Sequence, residues 1–222
     1  MTVITVSRKL GSDGDYIAKQ TAQMLGYQFV DKKFIGDVLC EYGLVEFNWE
    51  YDHLPSFWEK FDAQEEARRD VLVDMLNRVI RAVAQRGNVV ILGRSGYVVL
   101  GAFGDVLNAR IQAPEPFRVA QVAAREKVSL EEAKKIVAQG DKVRAAFVES
   151  FYGVDWTSAN GFDLVINRAK ISPELTINWL VSAARKIEQQ EPAQQPTAAA
   201  LQVDTNLMKT IAKEFHRATS WS

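Results

Sequence analysis

Cysteine is nearly absent from this 222-residue chain. Cys40 is the one thiol, so no intrachain disulfide can form and a reducing compartment fits. Histidine is almost as scarce: with only His53 and His216, a histidine-built metal site is not expected. No apolar run approaches the ~20 residues that cross a bilayer. The first residues, "MTVITVSRKL", lack a signal peptide's order of basic flank, apolar core and small-residue cleavage site. The expectation is therefore a cytoplasmic protein with no membrane partner. Excess charge of either sign is missing too. The 27 Lys and Arg against 28 Asp and Glu leave a formal charge of −1, which argues against general nucleic-acid binding. There is no internal repeat.

What is present is a steady alternation of strand and helix signals. "VITV" (3–6) is short, apolar and β-branched, the pattern of a strand buried on both faces. Ile17, Ala18, Thr21, Ala22 and Leu25 then recur at helical spacing, and Gly26 supplies a stop. "YQFVD" is a second strand and "KKFIGDVLCEYG" a helix. Residues 44–60 are aromatic-rich and irregular, expected as a flap against the body. A long helix is expected from Ala63 to Gln85, with Val71, Met75, Val79 and Val83 as its buried stripe. Strands follow at 88–93 and 107–113, and Pro116 sits early in a further helix. Ser129 with Glu132 makes a capping box for a helix running to Tyr152. A last strand (163–167) precedes a helix that opens at Ser172-Pro173. Such an order predicts a parallel sheet covered on both faces. Residues 188–200, "EQQEPAQQPTAAA", have the composition of a flexible linker. In the tail 201–222, Leu207, Met208, Ile211 and Phe215 share one helical face, suited to docking on the chain itself or on a partner.

The first strand is followed by "SRKLGSDGDYIAKQ", a glycine loop opening a helix. Backbone N–H groups and the positive end of the helix dipole favour bound phosphate there. A P-loop would end in Lys and Ser/Thr; aligned on "IAK", this chain has Gly14, Asp15 and Tyr16. Asp13 and Asp15 repel phosphate unless a divalent cation or a nearby basic residue screens them. Arg8 and Lys9 are the basic residues at hand, and either aspartate is also a good helix N-cap.

Taken together with "VVILGRSGYVVL", "NARIQAPEPFRVAQVAAREKVSLEEAKKIVAQGDKVRAAFVESFYGVDW" and "FDLVINRAK", this loop resembles the cytidylate kinase-like family, from Ile4 to Lys170. The resemblance implies an α/β three-layer sandwich of the P-loop NTP hydrolase type, spanning 1–187. Its sheet would have five parallel strands, with a mobile helical lid near 129–156. It implies ATP and Mg²⁺, with nucleotides as partners; a homo-oligomer is compatible with the sequence and not required by it. Ser7, Lys9, Gly11, Ser12 and Gly14 fall on the family's nucleotide loop, which itself lacks the usual lysine. The family commonly has glycine at position 13 and a basic residue at position 15, so Asp13 and Asp15 depart from it. Asp31 and Arg94 match acceptor-binding positions. Asp141 and Arg144 match the lid's D-x-x-R, with Arg8, Arg144 and Asp141 as the catalytic set. Arg118 and Lys142 are further candidates beside them. Tyr152 and Trp156 would pack the lid hinge, with Asp155 orienting a basic residue. The implied activity is transfer of the ATP γ-phosphate to a (d)CMP-like monophosphate. The two aspartates favour a rival reading, a weak or inactive nucleotide-binding or interaction module on the same fold.

Overall fold

A computed structural model describes residues 1–44, 63–190 and 195–219, the side chains of 63–69 and 218–219 excepted. The expected flap at 44–60 therefore lies, apart from Leu44, outside the described residues. Five strands form one parallel sheet: β1 (Val3–Arg8), β2 (Gln28–Val30), β3 (Val89–Leu92), β4 (Val106–Gln112) and β5 (Leu164–Asn167), in the order β2-β3-β1-β4-β5. The helices are α1 (Gly14–Leu25), α2 (Lys32–Cys40), α3 (Ala63–Arg86), α4 (Gly96–Val99), α5 (Glu115–Glu126), α6 (Leu130–Tyr152), α7 (Pro173–Gln189) and α8 (Thr205–Thr219).

Alternation along β1, β3 and β4 divides the apolar side chains between two faces. Ile4, Val6, Val90, Leu92, Leu107, Ala109 and Ile111 pack with α1 and α7. Val3, Val89, Ile91 and Val106 pack with α2, α3 and α8. A smaller cluster around Val122, Ala133 and Val137 joins α5 to α6 outside the sheet. The central strand order places the ends of β1 and β3 side by side, where an open parallel sheet puts its ligands.

The helix ends follow the sequence signals. Asp31, Ser129 and Ser172 each accept a hydrogen bond from the backbone N–H three residues on, at 3.0, 3.1 and 3.2 Å. Gly26 closes α1 in a left-handed conformation at φ 68°. Among the described helices the short α4 was not foreshadowed, and Val71, expected in the buried stripe of α3, is exposed while Val79 and Val83 are buried.

The C-terminal stretch differs from a free tail. Inside the segment expected as a flexible linker, residues 195–200 are strapped to the body: Asp105 accepts from the Ala198 and Ala199 N–H groups at 2.6 and 3.2 Å, and Ala198 is fully buried. Helix α8 then lays Leu207, Ile211 and Phe215 against α2 and α3. The tail docks on its own domain.

Candidate functional site

At the carboxyl ends of β1 and β3 the fold encloses a cavity of about 380 Å³. Ser7 and Arg8 line it from β1, Gly93, Arg94 and Ser95 from the turn after β3, Tyr97 from α4, and Gln139, Gly140 and Arg144 from α6; Lys32, Trp156 and several apolar side chains line the rest. Arg8, Arg94 and Arg144, singled out by sequence, are thus brought together. Lys32 was missed, although it stands next to Asp31 at the start of α2.

Arg94 reaches this position through an unusual turn. Gly93, Arg94 and Ser95 are all left-handed, at φ 70°, 54° and 56°. Non-glycine residues there cost on the order of 1–3 kcal/mol each and cluster at functional sites. Gly93 also leaves room for Arg8, whose Nη1 would have to move aside for a Cβ. The Ser95 hydroxyl and Nε of Arg8 are buried and find no hydrogen-bond partner among the described residues. Orphaned buried donors of this kind suit an anionic ligand.

The glycine loop is differently employed. The Leu10 N–H donates to Asp141 at 3.1 Å, and the Ser12 N–H to the Lys9 carbonyl at 3.3 Å. The Ser12 hydroxyl lies 2.8 Å from the Lys9 carbonyl and 3.0 Å from that of Ile111, so it closes the loop and does not face the cavity. Gly11, at φ 80°, sits so close to α5 that a Cβ would lie 2.6 Å from the Arg118 carbonyl. At Gly14 a Cβ would lie 2.5 Å from that of Arg8. Lys9 turns away to the Trp156 ring, 5.8 Å from its centroid, and burial pulls its ammonium pKa down.

Both loop carboxylates have arginine partners. Asp13 is the N-cap residue of α1 by position, yet it makes no capping hydrogen bond and pairs with Arg168 at 3.0 Å. Asp15 pairs with Arg8 at 2.9 Å. Burial alone would raise the Asp15 carboxyl pKa, but the Arg8 guanidinium, with Arg144 nearby, holds it below the usual range.

On the lid helix, Asp141 and Arg144 share a face without an ion pair between them. Asp141 takes Arg118 at 2.8 Å together with the Leu10 N–H, while Arg118 also donates to the Leu10 and Ala113 carbonyls, each at 3.0 Å. Arg118 and Asp141 thereby stitch α5, α6 and the loop into one unit. Arg144 donates to the Gly140 carbonyl at 2.7 Å and lines the cavity. The Tyr152 hydroxyl donates to Asn77 of α3 at 2.8 Å, anchoring the end of the lid helix. Asp155 closes a local turn on Thr157 and makes no ion pair with a described basic residue. Asp31 is separated from the arginine cavity: it caps α2 and borders a different hollow with Phe29, Asp37 and Arg217.

Magnesium would have to be fitted to these groups. Among the described residues no three or more His, Cys, Asp or Glu side chains form a metal-holding cluster. The donor set instead suits a metal that arrives on a phosphate chain, with Asp15 as the adjacent carboxylate.

The chain resembles known proteins over most of its length. Residues 3–170 match the model of the cytidylate kinase-like family. A cytidylate kinase from Ignicoccus hospitalis is 32% identical over 184 residues, 81% of this chain and 97% of its own. One from Pyrococcus horikoshii is 31% identical over 173 residues, covering 78% of this chain and 82% of its own. Among solved structures, an uncharacterized protein from Eubacterium ventriosum superposes with a TM-score of 0.63 at 17% identity, over 83% of this chain and 99% of that one. The sheet, its flanking helices and the helical lid form the α/β sandwich of P-loop kinases.

Proposed function

The chain belongs to the cytidylate kinase-like family, and on that premise we propose that it is an ATP-dependent phosphotransferase whose acceptor is CMP or dCMP. The observation that carries this is the convergence of Arg8, Arg94 and Arg144 on one cavity at the ends of β1 and β3. Phosphoryl transfer needs positioning and charge neutralisation more than covalent chemistry.

In this mechanism Arg8 and Ser7 hold the phosphates of ATP. Arg8 supplies the charge that a P-loop lysine would, and Asp15 keeps its guanidinium oriented until the nucleotide arrives. Arg94, with its planar fork, grips the acceptor phosphate from the turn after β3, with Lys32 also lining the cavity. Arg144, carried by the lid helix, neutralises the γ-phosphoryl group as it moves from one oxygen to the other. Asp141 acts at one remove, tying the lid to the loop through Arg118 and Leu10. Lys9, Gly11, Ser12 and Gly14 shape the loop. Asp31, apart from this cavity, serves as the cap of α2. Magnesium bound to the nucleotide would neutralise the β and γ oxygens and screen Asp15.

A second reading has one observation in its favour. The Asp13–Arg168 and Asp15–Arg8 pairs already occupy two cations beside the loop, as a regulatory nucleotide-binding module without turnover would tolerate. The test is incubation with γ-labelled ATP and magnesium over CMP, dCMP, UMP, AMP and GMP. Label is expected in CDP or dCDP. Bound ATP with no labelled diphosphate from any acceptor would replace the kinase by the binding module.

A further inference from the structure

Arg110 is among the largest fully buried side chains of the protein, 1% exposed in the middle of β4. It lies in register with Ser7 of β1 and Val165 of β5, so it projects from the same sheet face as cavity-lining Ser7. Among the described residues no carboxylate pairs with it, and its Nε and Nη2 find no hydrogen-bond partner. Its Nη1 donates to the Trp156 carbonyl. The guanidinium carbon lies 4.7 Å from the Trp156 ring centroid and 5.4 Å from that of Phe162, and Phe162 stacks on Tyr97 at 4.3 Å.

Stability does not account for an arginine here. A buried cation without a counter-charge, with two N–H groups unsatisfied, is disfavoured against an apolar side chain of the same volume. Burial accordingly pulls its pKa below the usual arginine value, against the opposing pull of Tyr97, Asp141 and Asp155. What the arginine does supply is a double hold on one residue, by backbone carbonyl and by ring. Trp156 and Tyr97 both line the cavity, and Trp156 stands three positions beyond Gly153, which ends the lid helix.

We propose that Arg110 is a positioning residue of the nucleotide site, fixing Trp156 and the Tyr97–Phe162 stack as the rigid aromatic wall against which the lid hinge and the bound nucleotide are set. The nucleotide part of this inference rests on the kinase-class function above. The hold on Trp156 does not.

The test uses the full chain with Arg110→Met and Arg110→Lys. Acrylamide quenching of Trp156, taken as the difference from Trp156→Phe, reads the wall. Calorimetric binding of CMP and of Mg·ATP reads the site, and a thermal melt reads the fold. In Arg110→Met, Trp156 becomes more quenchable and CMP affinity falls about tenfold, with no loss of melting temperature. Arg110→Lys keeps a cation over the ring and recovers part of both effects. A well-folded Arg110→Met with wild-type quenching and wild-type affinity overturns the proposal. So does an affinity loss that only tracks a lowered melting temperature. If Arg110→Met does not fold, Arg110→Lys decides: quenching above wild type supports the hold, and unchanged quenching overturns it. A wild-type chain that binds neither nucleotide refutes the kinase-class function, while the quenching comparison still judges Arg110.

Discussion

Two turns leave the sheet side by side, one after β1 and one after β3, and they are used in opposite ways. Both contain left-handed residues, Gly11 and Asp13 in the first, Gly93, Arg94 and Ser95 in the second. In the first turn the strain is absorbed by the protein itself. Leu10 and Ser12 spend their N–H groups on Asp141 and Lys9, Asp13 faces Arg168, and Lys9 turns to Trp156. In the second, the strain carries Arg94 and Ser95 to the cavity, and Gly93 leaves room for Arg8. The glycine loop is spent on contacts within the protein, and under the function proposed above the recognition of phosphate falls to the arginine side chains around it. A loop lacking the P-loop lysine is then no sign of a lost site.

The contrast between a structural loop and working arginines can be sharpened by substitution. Arg144→Gln should have the largest effect, about a 10³-fold loss of kcat with nucleotide affinity nearly kept, measured in a coupled assay. A loss confined to KM would instead make Arg144 a ground-state contact. Asp141→Ala should cost about 3 kcal/mol of stability in denaturant unfolding, because it leaves buried Arg118 without its counter-charge and Leu10 without its acceptor. A loss below about 1 kcal/mol would show that the loop is not held by this clamp. Asp15→Asn should have the smallest effect, under about 1 kcal/mol, since the Arg8–Asp15 pair is largely exposed on the carboxylate side. The Asp15 pKa is depressed by folding, so its contribution is present above the unfolded carboxyl pKa and fades as pH falls through the folded one. The melting temperatures of wild type and Asp15→Asn should therefore differ slightly at neutral pH and converge in acid; a gap that widens in acid would contradict the pairing.

Much of the fold was legible because it is written in local patterns. Buried β-branched strands, the capping serines at 129 and 172, and Gly26 depend on neighbours a few residues away. Arg8, Arg94 and Arg144 were legible through the family's motif order. What was not legible involves partners far apart in sequence. Asp141 is claimed by Arg118 and Leu10, and Asp105 holds Ala198 and Ala199. Spacing cannot show such pairs, and composition alone made 188–200 look unattached. Lys32 was overlooked for a similar reason, since its side chain meets the cavity only once α2 has folded beside β2 and α3.

The most direct measurement is Mg·ATP and CMP affinity by calorimetry in Arg94→Gln beside Lys9→Gln. With arginines as the phosphate ligands, Arg94→Gln weakens CMP binding about tenfold or more, while Lys9→Gln stays within about twofold of wild type for both nucleotides. If Lys9→Gln loses the binding and Arg94→Gln keeps it, the glycine loop is the phosphate site after all and the assignment to arginines fails.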